Sequence, residues 1–401
     1  MDVVRKVFVL YTGGTFGMND DETGRLVPQP LDKIKEIIIA HTILYERKTA
    51  RESEEDVRKR IVNPDGFITL YQQLSKEDPK AQGKHYKILY KFDDLPKPID
   101  SSSATPEDWS IVAKKILNNM GIYDGFLILH GTDTMSFTSS ALSFFLGNVK
   151  KPVIVTGAQK PIFHPRSDGF DNFVSSMLIA GYFSDRPSLH KVMLCYQNKL
   201  YQGNRVVKVD CDSFSVFDSP EVSPLASLET TIKLIDEMKV DKQLNKDGVS
   251  LPEKVQFIIN KPADVRMLRF YPGITKDIVC RVLDKAEGVV LETFGCGNVP
   301  EVDWLKACLI NADINNVLML NCTQVFRGTV VPIYAASKML TEANVIPGYD
   351  ITPVAAMAKM VWVLKLKLDH QKRRELMEHC VYGESSAPPL PYELEFDLKE
   401  L

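Results

Sequence analysis

One alternation constrains this chain more than anything else in it. Short runs that are apolar at nearly every position are each followed by a turn rich in Gly, Thr and Asp, and then by a segment with helical spacing. Lys6–Tyr11 ends at Thr12-Gly13-Gly14, Gly125–Leu129 at His130-Gly131-Thr132-Asp133, and Pro152–Thr156 at Gly157-Ala158. A strand that is apolar throughout needs cover on both faces. Such strands joined by helices predict a mostly parallel sheet between two helical layers. The spacing predicts helices after Thr105-Pro106, over 136–148 and over 170–182, with another strand over 191–197.

The rhythm returns in the second half. Strands are expected over 255–259, 288–292 and 316–321, and helices over 274–286, 300–310 and 333–343. Between the halves, residues 219–254 lose the pattern and carry Pro220, Pro224 and Pro252. The expected organisation is a larger N-terminal α/β domain over 1–222, a linker over 223–254 and a smaller parallel α/β domain with a tail over 255–401. Residues 46–60 are charge-dense and read as a solvated helical insertion. Residues 385–391, Ser-Ser-Ala-Pro-Pro-Leu-Pro, read as a loose tail.

Composition narrows the class. The 401 residues carry a formal net charge of -3, with 44% apolar and 25% charged residues. That balance argues against nucleic acid or an anionic membrane surface as partner. No apolar run approaches the ~18 residues of a membrane span. The N-terminus lacks the apolar core and cleavage site of a secretory signal. The seven cysteines are scattered without a Cys-x-x-Cys pair, so zinc-ribbon and thioredoxin readings fail, and several are expected as reduced core residues. A cytoplasmic enzyme is the expectation.

Four polar clusters follow strand ends, where parallel α/β sheets bind ligands. Thr12-Gly13-Gly14-Thr15-Phe16-Gly17 sets a hydroxyl on a glycine-flanked turn and lacks the Gly-x-Gly-x-x-Gly dinucleotide spacing. His130-Gly131-Thr132-Asp133-Thr134 puts a hydroxyl beside a carboxylate; a His130–Asp133 metal pair would lack a third ligand nearby. Thr156 to Pro161 is followed by Ser167-Asp168-Gly169 and Asn172. Gly203-Asn204-Arg205 precedes Lys208, a lysine beside an apolar pair and so a candidate for partial desolvation. Two threonines, a carboxylate and a lysine are the equipment for acyl transfer by a hydroxyl nucleophile. No Gly-x-Ser-x-Gly elbow exists, which disfavours an ordinary α/β-hydrolase.

These motifs resemble the asparaginase family with two threonine signatures. Tyr11 to Met18 is similar to the first signature and Leu129 to Met135 to the second, and the resemblance runs from about residue 5 to about residue 368. It is nearest to the cytosolic type I branch, including animal members, in a form without ankyrin repeats. The resemblance implies a two-domain asparaginase-like fold and hydrolysis of L-asparagine to L-aspartate and ammonia through a threonine acyl-enzyme, with no cofactor and no metal. It implies Thr15 as nucleophile, with Thr132, Asp133, Lys208 and Tyr334 as further catalytic residues. Gly14, Asp100, Ser101, Ser102, Thr132, Asp133 and Ala158 are the implied substrate-binding residues, and a homodimer or homotetramer is the implied assembly. Two alternatives stand beside this: an ammonia-liberating subunit of a tRNA-dependent amidotransferase, and a non-catalytic amino-acid sensor.

Overall fold

The computed structural model describes residues 3–46, 52–72, 86–234, 263–330, 335–389 and 391. Strand β1 (Val3–Gly13) lies third from one edge of a nine-stranded sheet. It pairs in parallel with β5 (Tyr86–Ile99) on one side and with β6 (Gly125–Leu129) on the other. Beyond β6 follow β7 (Val153–Thr156) and β8 (Val192–Tyr196), also parallel. Antiparallel strands finish both edges: β4 (Ile68–Gln72) on β5, and β9 (Lys199–Gln202), β12 (Ala226–Leu228) and β13 (Ile232–Leu234) beyond β8. Four neighbouring parallel strands, β5, β1, β6 and β7, thus bring their carboxyl ends to one edge.

Period-two burial explains why these strands read as continuously apolar. Val7, Val9 and Tyr11 pack with Leu127 and Leu129 under α1 (Leu31–Glu46) and α5 (Gly169–Tyr182). Phe8 and Leu10 pack with Phe126 and Ile128 under α3 (Pro106–Asn119) and α4 (Met135–Phe145). The α3 start is as expected: Pro106 opens the helix and Thr105 and Asp108 form a capping box. A short helix α2 (Glu54–Ile61), capped by Ser53, supplies the described part of the charged insertion.

The second sheet is four-stranded and all parallel: β14 (Val265–Arg269), β15 (Gly288–Thr293), β16 (Leu318–Thr323) and β17 (Ile346–Pro347). Helices α6 (Lys276–Leu283), α7 (Asp303–Ile314) and α8 (Ala335–Glu342) alternate with its strands. Helix α9 (Pro353–Lys365) runs between the two sheets. Its Trp362 is fully buried and stacks on Phe144 of α4, so one apolar cluster contains Val290 and Leu320 of the small sheet as well as Phe8 and Leu194 of the large one. No described helix is long and apolar enough to cross a membrane.

Several expectations differ from the structure or fall outside the described residues. The strand expected over 255–259 lies outside the described residues. The first described strand of the second sheet is β14, in which only Leu268 is buried and Arg266 and Arg269 interrupt any apolar run. β5 was not anticipated, because Lys91, Asp93, Asp94, Pro96 and Lys97 interrupt its apolar pattern; its register on β1 holds it in the sheet. Residues 226–234 fall within the expected linker yet carry β12 and β13. Residues 18–28, which show no pattern in sequence, form an antiparallel hairpin of β2 (Met18–Asp20) and β3 (Leu26–Pro28). The expected loose tail is packed through residue 389: Ser385 and Ala387 are buried and Cys380 bridges Pro389. Cys195, Cys322 and Cys380 are buried and free, as expected of core cysteines, while Cys280 of α6 and Cys308 of α7 form a disulfide.

Candidate active site

The first signature turns sharply out of β1. Gly14 has φ 83°, and a Cβ there would lie 2.3 Å from the Gly131 Cα and N, so the backbones of the first and second signatures touch. That contact sets the ends of β1 and β6 side by side. Thr12 fastens them further, its hydroxyl donating to the Leu129 carbonyl at 2.9 Å. Thr15 follows in a single 3-10 turn, partly exposed, and its hydroxyl has no hydrogen-bond partner among the described residues. The end of β5 supplies Asp100, whose carboxylate accepts from the Ser102 N–H at 3.1 Å, and buried Ser101, whose carbonyl accepts from the Thr134 hydroxyl at 2.7 Å. Ser102 is exposed.

The second threonine is buried and wired to a lysine. Lys208 comes from a small ribbon, β10 (Val207–Lys208) against β11 (Phe217–Asp218), outside the main sheet. Its Nζ donates to the Thr132 hydroxyl at 3.1 Å and to Asp133 Oδ1 at 2.7 Å. The Asp133 side chain is 59% exposed, so its carboxylate remains reachable from the cleft while it holds the ammonium. His130 is no partner to it: it is fully enclosed, with Nδ1 against the Gly131 carbonyl and Nε2 against the Thr138 hydroxyl. Burial keeps its pKa below the usual histidine range. No cluster of three or more His, Cys, Asp or Glu suited to a metal occurs among the described residues.

The third cluster builds a rigid turn beside these groups. Ala158 is fully buried after β7. Asp168 accepts from the Gln159 and Lys160 N–H groups at 3.0 Å and from the Tyr196 hydroxyl at 2.7 Å. Asn172 donates to the Gly157 carbonyl at 3.0 Å. Gln159 then reaches Thr132, whose hydroxyl donates to its Oε1 at 3.1 Å. The fourth cluster has another use. Arg205 pairs with Asp350 at 3.1 Å and donates to the Gly383 carbonyl at 2.7 Å, and Asn204 donates to the Tyr382 carbonyl at 3.0 Å, so this stretch joins the two domains.

The structure therefore brings Gly14, Thr15, Asp100, Ser101, Ser102, Thr132, Asp133, Ala158 and Lys208 to the carboxyl edge of one sheet; Tyr334 lies outside the described residues. Gln159, within the third polar cluster, contacts Thr132 although no sequence pattern singles it out. A free hydroxyl next to a hydroxyl–lysine–carboxylate cluster suits nucleophilic acyl transfer.

Comparison with known proteins agrees with the two sheets. Residues 6–240 match the family described as asparaginase, N-terminal, and residues 264–377 match the glutaminase/asparaginase C-terminal domain. The chain belongs to the asparaginase family. Asparaginases in this comparison include L-asparaginase 1 of Escherichia coli, 33% identical over 384 residues that cover 95% of this chain and 98% of that protein. A Homo sapiens protein named 60 kDa lysophospholipase is 36% identical over 96% of this chain, and the chain spans 62% of that relative's length. Among solved structures, L-asparaginase I from Vibrio cholerae superposes with a TM-score of 0.74 at 30% identity, covering 96% of this chain and all of that one. The asparaginase fold thus accounts for both sheets.

Proposed function

We propose that this chain hydrolyses L-asparagine to L-aspartate and ammonia, with Thr15 as nucleophile. The observation that carries the reading is Lys208 Nζ bridging the Thr132 hydroxyl and the Asp133 carboxylate at 3.1 and 2.7 Å, with Thr15 and Thr132 each following one member of the touching Gly14–Gly131 backbone pair. Thr15 Oγ attacks the side-chain amide carbon, and backbone N–H groups at the glycine turn and near Ala158 stabilise the oxyanion. The C–N bond breaks, the nitrogen takes a proton and ammonia leaves. Water then attacks the acyl-threonine, releases aspartate and returns the proton to Thr15. Thr132 and Lys208 handle protons through these steps. Asp133 takes the substrate ammonium, Ser101 the α-carboxylate, and Gly14, Asp100 and Ser102 complete the pocket. Tyr334 joins Thr15 in this scheme. The chemistry calls for no cofactor, and the working form is a cytoplasmic homo-oligomer, a dimer or tetramer.

The test is release of ammonia and aspartate from asparagine by the purified protein, with Thr15→Ala and Thr132→Val run alongside. Both variants should lose most turnover while melting near wild type. Because one relative is named a lysophospholipase, a lysophospholipid belongs in the same assay. Hydrolysis of that ester with no action on asparagine would overturn the amide reading, and near-normal turnover in either variant would remove that threonine from its role.

A further inference from the structure

Gln159 touches the second threonine in a way that leaves neither group free to turn. Thr132 donates its hydroxyl proton to Oε1 at 3.1 Å, while Nε2 donates to the carbonyls of Cys211 at 3.1 Å and Ser213 at 3.4 Å. The amide has one acceptable orientation, because reversing it would set Oε1 against two carbonyl oxygens. Its backbone is equally fixed: the Gln159 N–H meets both oxygens of Asp168 at 3.0 Å, and Asp168 is itself held by Tyr196 and Asn172. A hydroxyl carries a single proton. With that proton committed to Gln159, Thr132 can face Lys208 only through a lone pair, and Lys208 does donate to it. The two carbonyls that hold Nε2 belong to the segment that follows Lys208 and leads into β11.

Resting on the reading that Thr132 and Lys208 serve amide hydrolysis, we propose that Gln159 is the positioning residue of this pair. It sets the direction of the Thr132 proton, and it clamps residues 211–213 so that the ribbon carrying Lys208 keeps its place. It acts through Thr132 and Lys208 and takes no part in holding the α-carboxylate or ammonium. Its loss should therefore change turnover and leave binding alone.

The experiment compares Gln159→Met, Gln159→Glu, Thr132→Val and wild type for kcat and KM on asparagine, with thermal melting of each. Gln159→Met fills the same space without any of the three side-chain hydrogen bonds. Its kcat should fall about tenfold, the rate equivalent of one hydrogen bond, with KM and melting temperature held. Gln159→Glu keeps an acceptor for Thr132 but sets its second oxygen against the Cys211 and Ser213 carbonyls, so it loses the clamp and should not restore wild-type turnover. Wild-type kcat in Gln159→Met would overturn the proposal. So would a joint loss of KM and melting temperature, which would make Gln159 a structural residue only. Failure of the underlying reading looks different: wild type would then release no ammonia from asparagine, or Thr132→Val would turn over normally.

Discussion

Lys359→Met should destabilise the protein more than any single surface change. Lys359 on α9 and Glu384 are 1% and 0% exposed and 2.7 Å apart. Lys359 also donates to the carbonyls of Met377 and His379, and Glu384 accepts the N–H groups of Val381 and Tyr382. Removing one partner leaves a buried charge uncompensated, which costs about 3–5 kcal/mol. At about 2–4 °C per kcal/mol for a domain of this size, melting should drop by roughly 6–20 °C. The pH dependence carries a sign. Burial pushes the Glu384 carboxyl up, but Lys359 and the backbone N–H groups outweigh it and hold it below the usual glutamate range. Its contribution to wild-type stability is therefore present above the unfolded-state pKa and lost as pH falls through the folded value. In Lys359→Met only burial and the backbone contacts remain, and the carboxyl protonates more readily. The gap between variant and wild type should narrow as pH falls. Adding Glu384→Gln should recover part of the loss at neutral pH. Differential scanning calorimetry across pH reads all three. A single variant melting within about 2 °C of wild type would refute the reasoning.

Lys208→Met should lower kcat by about 10²–10⁴, the range for a proton-handling group, with aspartate affinity little changed; Lys208→Arg should not rescue it, because a guanidinium does not give up its proton. Near-normal turnover in Lys208→Met would route the proton elsewhere. The β2–β3 hairpin, joined to the Thr15 turn and exposed at 19–26, should act as a lid. Limited proteolysis should cut there in the free protein and be slowed by aspartate, and equal cutting in both states would sink the idea. Asp350→Ala removes the partner of Arg205 and should lower kcat more than it raises KM, measured by steady-state kinetics, because Arg205 lies three residues before Lys208; an effect on KM alone would contradict this.

What was legible in the sequence is what obeys local rules. Val7–Tyr11 and Phe126–Leu129 read as strands because both faces are buried, and the capped start of α3 read as a helix because capping is a short-range pattern. The two threonine signatures were equally plain, since a close backbone approach at Gly14 and Gly131 tolerates little else. The misses share a different cause. β5 follows β1 through nine consecutive register pairs from Val3 to Tyr11 despite lysines, aspartates and prolines that break its pattern, and pairing partners far along the chain decide its state. Ser385 and Ala387 look like tail residues, yet they are buried because Glu384 finds Lys359 on a helix placed 25 residues earlier.

The same distinction runs through the site. Thr15 and Thr132 hang from strands of the main sheet, whose positions many neighbours determine. Lys208 does not. Its ribbon has two residues on each strand, far below what holds a hairpin alone. Something else must keep its ammonium at Thr132, and three separate contacts do so: Tyr201 donating to the Phe217 carbonyl at 3.0 Å, Gln159 on the carbonyls of Cys211 and Ser213, and Arg205 locked to Asp350 and Gly383. One comes from β9, one from the turn after β7, and one from the second domain. The group to which we assign proton handling is therefore the one least specified by its own stretch of chain. On that assignment, Gln159 and Arg205, on either side of the domain junction, would influence turnover through it.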